Sequence, residues 1–101
     1  MGSAGMRSRL PHKRDANHAE ITQAFEQLGC TVFDASAVGD GFPDLVVGLV
    51  GQNLLVECKT KDGELTPPQQ RLIDEWRGEI HVVDSPEMAT TLVQLVRRAA
   101  R

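Results

Sequence analysis

Apolar residues along this chain fall into helical stripes and short strand-like runs. Ile21, Ala24, Phe25 and Leu28 recur at helical spacing behind Asn17 and Glu20, a pair three apart that predicts a capping box opening a first helix. Gly29 stands where a left-handed C-terminal cap is expected. Thr31 to Ala35 is partly β-branched and reads as a strand, followed by a loop over Ser36 to Phe42 that carries Gly39 and Gly41. Asp44 to Leu49 and Asn53 to Lys59 read as a second and third strand, joined by a tight hairpin at Val50-Gly51-Gln52. Thr66-Pro67-Pro68-Gln69 combines a Thr cap, proline in the first turn and Gln at the capping-box position. It predicts a second helix with Gln69, Leu72, Ile73 and Trp76 on one face, ended by Gly78. Ile80 to Val83 is a fourth strand, and Ser85-Pro86 opens a last helix expected to bury Met88, Leu92, Leu95, Val96 and Ala99.

The predicted order is α-β-β-β-α-β-α, an α/β (α+β) arrangement with an antiparallel hairpin at the centre of a small mixed sheet and helices packed on it. At 101 residues the chain supports one core and one domain. Residues 1–14 read as a flexible basic arm, leaving 15–101 as the folded unit. No apolar run is long enough to span a bilayer, and the basic N-terminus lacks the apolar stretch of a secretory signal. Cys30 and Cys58 read as small buried hydrophobes and favour a reduced, cytosolic setting.

Charge distribution changes the picture that the net charge of −3 suggests. Arg7, Arg9, Lys13 and Arg14 precede every acid, and Arg97, Arg98 and Arg101 follow every acid. The middle of the chain holds all 14 acids with four bases. Basic ends around an acidic body suit a polyanion whose phosphates meet the ends while some acids hold a cation, although solvated termini would look the same.

The candidate chemistry sits on the hairpin. Glu57 and Lys59 are two apart on one strand and share a face, with Cys58 turned away. A two-residue turn at Gly51-Gln52 sets Val50 against Asn53 and Asp44 against Lys59, which gathers Asp44, Glu57 and Lys59 at the open end. A one-residue slip in pairing would scatter them. Charges on a strand that otherwise reads LLV are costly unless they serve one another or a ligand. Two carboxylates and the Cys58 backbone carbonyl form a hard oxygen donor set suited to magnesium, and Lys59 can offset charge building on a phosphate. The alternative is an exposed strand end with a Glu-Lys pair. His12 and His18 lack metal spacing, His81 reads as a structural histidine, Trp76 as core, and Lys61, Arg71 and Arg77 as either phosphate contacts or solvated surface. There is no nucleophile triad and no P-loop.

Gly41-Phe42-Pro43-Asp44, followed after twelve residues by Glu57-Cys58-Lys59, resembles the PD-(D/E)xK nuclease signature. The wider run GFPDLVVG, LLVECKTKDGELTPPQQ and EWRG resembles the small stand-alone virus-type replication-repair (VRR-NUC) nucleases of phages and prophages, from about Arg14 to Val93. The resemblance implies a restriction-endonuclease-like core and a Mg2+-dependent phosphodiesterase, with Mn2+ as a substitute. It further implies a homodimer in the bacterial cytoplasm that cuts DNA, favouring branched forms such as four-way junctions, with no organic cofactor and no membrane partner. Asp44 and Glu57 match the metal ligands, and Lys59 the catalytic lysine. Glu20 resembles the acidic residue of the first helix that reaches the site, as catalytic group and metal ligand, and Gln69 the glutamine of the later motif. The residues themselves leave both Glu20 and Gln69 open to a purely capping role, and make Asp15 and Asn17 weaker candidates. A DNA-binding module without catalysis, or a sequence-specific restriction-type enzyme, would share the fold.

Overall fold

The computed structural model describes residues 16–100, so the basic arm, Asp15 and Arg101 lie outside the described residues. The element order is α1 (His18–Gln27), β1 (Thr31–Asp34), β2 (Leu45–Leu49), β3 (Gln52–Cys58), α2 (Pro67–Glu75), β4 (Ile80–Val83) and α3 (Pro86–Ala99), as the hydrophobic pattern predicts. The strands form one mixed sheet in the order β1-β2-β3-β4. The first two neighbouring pairs are antiparallel and β3-β4 is parallel. A parallel neighbour requires a crossover, and α2 supplies it.

Alternation divides the sheet into two faces. Leu45, Val47, Val56, Cys58 and Val83 turn to one side, where they bury Ile21 and Phe25 of α1 and Ala89 and Val93 of α3. Each of the larger of these side chains contributes about 1.5–3 kcal/mol of burial. The opposite face carries Glu57. It is only partly covered, because no residue of α2 is fully buried.

Four local expectations change. The hairpin turn is Val50-Gly51, not Gly51-Gln52: Leu49 pairs with Gln52 and Leu45 with Val56. Both turn residues have positive φ, 44° at Val50 and 76° at Gly51, the geometry whose twist matches a hairpin. Val50 thus adopts a conformation that β-branched residues rarely take. Moving the turn by one position shifts every cross-strand pair by two residues. The faces therefore survive, and continuing the register one step beyond Leu45 and Val56 sets Asp44 against Glu57 rather than Lys59.

On α3 the buried stripe runs through Ala89 and Val93 with Leu92 and Val96 beside it, one residue away from the expected face. Met88 (41% exposed) and Leu95 (53%) instead line a shallow groove with the β4 residues Ile80–Val83, and Ala99 is exposed. Helix α2 stops at Glu75, before Gly78, which leaves Trp76 as an exposed C-cap and not core.

Finally, the Asn17–Glu20 capping box does not form: Asn17 occupies the N-cap of α1 but its side chain makes no cap hydrogen bond. Gly29, by contrast, takes the expected left-handed conformation at φ 89°. The turn it ends is further tied by Arg97, whose guanidinium donates to the Leu28 carbonyl. Arg97 is therefore engaged within the fold rather than extended as part of a basic tail.

Candidate active site

The sheet face opposite the core, the loop after β1 and the N-terminus of α2 enclose a cleft of about 390 Å³. Asp44, Lys59, Gln69, Thr66, Pro68 and the 36–42 loop line it. Three of the five predicted catalytic residues thus meet at one cleft, and a fourth, Glu57, lies against it through Gln69.

Asp44 ends the loop just before β2. Its backbone carbonyl accepts from Ala35 N–H at 2.7 Å, and its Oδ2 accepts from Cys58 N–H at 2.9 Å. That bond ties the carboxylate to the strand bearing Glu57 and Lys59, while Oδ1 has no hydrogen-bond partner among the described residues. Glu57 is almost wholly buried, at 2% exposure, and its Oε2 accepts from Gln69 Nε2 at 2.8 Å. Lys59 follows at the end of the strand, half-buried and lining the cleft. Its backbone N–H donates to Val83 carbonyl at 3.0 Å. Among the described residues its ammonium makes no ion pair or hydrogen bond, and it shares the cleft with the Asp44 carboxylate.

Gln69 is engaged at both ends of its side chain. Its backbone N–H donates to Thr66 Oγ1 at 3.3 Å and its Oε1 accepts from Thr66 N–H at 2.8 Å, a complete capping box. Its Nε2 is left to reach Glu57. A single amide, with one acceptor end and one donor end, performs both tasks.

The loop is fitted to this helix. Gly39, Asp40 and Gly41 all have positive φ (83°, 57° and 81°). A Cβ on Gly41 would stand 2.5 Å from the Pro68 carbonyl carbon and oxygen and 2.8 Å from Gln69 N. Only a residue without a side chain lets the loop backbone lie against the first turn of α2. The sequence signal was present as a glycine in the Gly-Phe-Pro-Asp run, but the contact itself is tertiary.

Glu20 stays apart. It is exposed on the first turn of α1 and does not line the cleft. Among the described residues no group of three or more His, Cys, Asp or Glu side chains is placed to hold a metal ion. Asn17, the weaker candidate at the start of α1, donates from Nδ2 to the carbonyls of Lys59 (2.9 Å) and Asp84 (2.7 Å). His18 is buried with Nε2 3.9 Å from Asp34 Oδ1. His81 Nε2 lies 3.2 Å from Glu79 Oε1 but out of line for a hydrogen bond. Neither histidine lines the cleft.

The donors that do converge fit a hard divalent cation. They are two carboxylates on adjacent strands and a backbone carbonyl, since Cys58 C=O points to the same side of its strand as the N–H that Asp44 accepts.

A solved structure described as "VRR_NUC domain" superposes on this chain with a TM-score of 0.63 and 28% sequence identity, covering 77% of this chain and 95% of its own. This is a VRR-NUC-like nuclease fold. The shared span takes in most of the described residues, in accord with the α-β-β-β-α-β-α order. No protein-family model and no curated protein sequence matches the chain. Among the described residues of this VRR-NUC-like chain, no helix is long and apolar enough to cross a membrane.

Proposed function

We propose that this nuclease-fold chain is a divalent-cation-dependent endodeoxyribonuclease that acts as a homodimer on branched DNA. One observation carries the reading: Asp44, Glu57, Lys59 and Gln69 are joined by hydrogen bonds and strand register at one cleft of a VRR-NUC-like fold.

Asp44, Glu57 and the Cys58 carbonyl would hold the cation, preferably Mg2+, with Mn2+ as a substitute. When bound, such an ion polarises a phosphoryl oxygen and makes water a better nucleophile at neutral pH. The chain's own groups do the rest. Gln69 fixes the rotamer of Glu57, so that the carboxylate is oriented before substrate arrives. Lys59 brings its ammonium to the cleft, where it offsets the charge that accumulates on the phosphate in the transition state. The cleft is lined by polar and charged side chains where a phosphodiester backbone would enter.

Dimerisation follows from substrate shape. Each chain brings one copy of the Asp44–Glu57–Lys59 site, and resolving a four-way junction takes two nicks related by symmetry, which an isologous pair supplies. The basic residues of the arm and of Arg98 would then grip duplex arms, each phosphate neutralised adding about 0.9 to the salt slope of log affinity.

The deciding experiment incubates the intact chain with labelled linear, flap and four-way DNA in Mg2+, Mn2+ or EDTA, alongside light scattering. Cation-dependent cutting with a preference for branched substrates and a mass of two chains is expected. Intact DNA in every condition would end the nuclease reading. A monomer that cuts linear and four-way DNA equally would end the proposal of a branched-DNA dimer.

A further inference from the structure

We infer that Asn17 is a positioning residue for Lys59, acting through the main chain; this rests on the nuclease reading of the cleft. The argument begins with the β3–β4 ladder. Cys58 pairs with Val83, and Lys59 N–H donates to the Val83 carbonyl at 3.0 Å, so Lys59 stands opposite Asp84. In a parallel pair, the next rung would run from Ser85 N–H to the Lys59 carbonyl. That rung is not made. The chain leaves β4 at Asp84 and turns into α3, with Ser85 as N-cap accepting from Met88 N–H through its hydroxyl. The carbonyls of Lys59 and Asp84 are thus left side by side at the end of two adjacent strands, where each needs a donor.

Asn17 supplies both. Its Nδ2 donates to Lys59 O at 2.9 Å and to Asp84 O at 2.7 Å, across 42 and 67 residues of sequence. The amide orientation follows from chemistry, since two carbonyl acceptors demand the NH2 end and would repel the oxygen. The residue is 8% exposed, and its Oδ1 is buried with no hydrogen-bond partner among the described residues. The backbone N–H groups at the start of α1 receive no cap bond from this side chain either. Asn17 therefore forgoes the ordinary use of an Asn at a helix start, and leaves its own oxygen unsatisfied, while its donors close the strand ends.

The consequence falls on Lys59. Both of its main-chain polar groups are held, the N–H by Val83 and the C=O by Asn17, shortly before the exposed residues 61–64. The ammonium at the end of a long flexible stem is aimed only as well as its Cα is held. Displacements of about 1 Å at a reacting centre can cost on the order of 10²-fold in rate.

A double-mutant cycle on cleavage kinetics tests this, using Asn17→Ala and Lys59→Ala singly and together in the full chain. Asn17→Ala should lower kcat by roughly 10–100-fold with little change in KM for DNA. In the Lys59→Ala background the same substitution should have almost no further effect, because what it positions is gone. Equal fold-losses in both backgrounds, or an unchanged kcat, would overturn the inference. A second measurement needs neither a variant nor activity: through-hydrogen-bond NMR couplings from Asn17 Nδ2 to the Lys59 and Asp84 carbonyl carbons in the unmutated chain. Their presence supports the clamp and their absence overturns it, even where Asn17→Ala fails to fold. A wild-type chain that cuts no DNA is a different result, which removes the nuclease reading while the couplings still decide the clamp.

Discussion

Gln69 Nε2 donates to Glu57 Oε2 at 2.8 Å while Gln69 Oε1 accepts from Thr66 N–H at 2.8 Å. The first turn of α2 and the buried carboxylate of β3 are thereby held by opposite ends of one side chain. Whatever stabilises the cap also orients the acid, and local helix chemistry becomes part of the site.

Gln69→Glu separates the two roles. The new carboxylate keeps an oxygen for Thr66 N–H, so melting should stay within a few degrees of wild type. It also sets a second negative group against buried Glu57, and two adjacent carboxylates raise the pKa of the pair. The cation needs Glu57 deprotonated, so the acidic limb of the pH–activity profile should move to higher pH. Profiles that superpose on wild type would return Gln69 to a capping role alone.

Gly41→Ala should damage both stability and activity. At φ 81° the substitution is strained, and its Cβ meets the Pro68 and Gln69 backbone, which cannot swing aside as a flexible side chain can. Strain of this kind costs about 1–3 kcal/mol, and relief requires α2 to shift, carrying Gln69 from Glu57. Gly51→Ala is the control: its φ is 76°, but nothing lies within 4 Å of the added carbon. Urea denaturation and cleavage rates should show both losses for Gly41→Ala and only the stability loss for Gly51→Ala.

Removing the charged groups should sort them by task. Asp44→Ala or Glu57→Ala should abolish cation-dependent cleavage in a chain that still folds. Lys59→Ala should lower turnover by about 10²–10³-fold with a much smaller change in DNA affinity, as expected for a group acting mainly in the transition state. Full activity in either acid variant would dismantle the site, and a loss confined to binding would make Lys59 a DNA contact only.

The Cys30 thiol gives a pH dependence to the fold itself. Burial pushes its pKa up, and the nearby Arg97 guanidinium only partly offsets this. The folded chain therefore keeps a proton that the unfolded chain gives up. This contribution to stability is fully present below the ordinary thiol pKa of about 8.5 and is lost as pH rises through the folded value. Urea midpoints measured from neutral to alkaline pH should fall more steeply for wild type than for Cys30→Ala. Parallel pH curves would rule out the thiol as their source.

The order of elements was written in the sequence because each signal is local. Gly29 closes α1, the Thr66 to Gln69 capping box opens α2, and a period of two puts Glu57 and Lys59 on one face whatever surrounds them. The same period explains why misplacing the hairpin turn by one position left the face of Asp44 unchanged. Tertiary structure alone decided the rest. Val50 accepts a positive φ because pairing across β2 and β3 outweighs its local preference. On α3, contact with α1 and the sheet selects Ala89 and Val93 over the bulkier Met88 and Leu95, since close packing there admits small side chains. Asn17 looked like a helix cap because capping is what its sequence neighbourhood offers. Its amide turned instead to two carbonyls 42 and 67 residues away, which no window of sequence brings together.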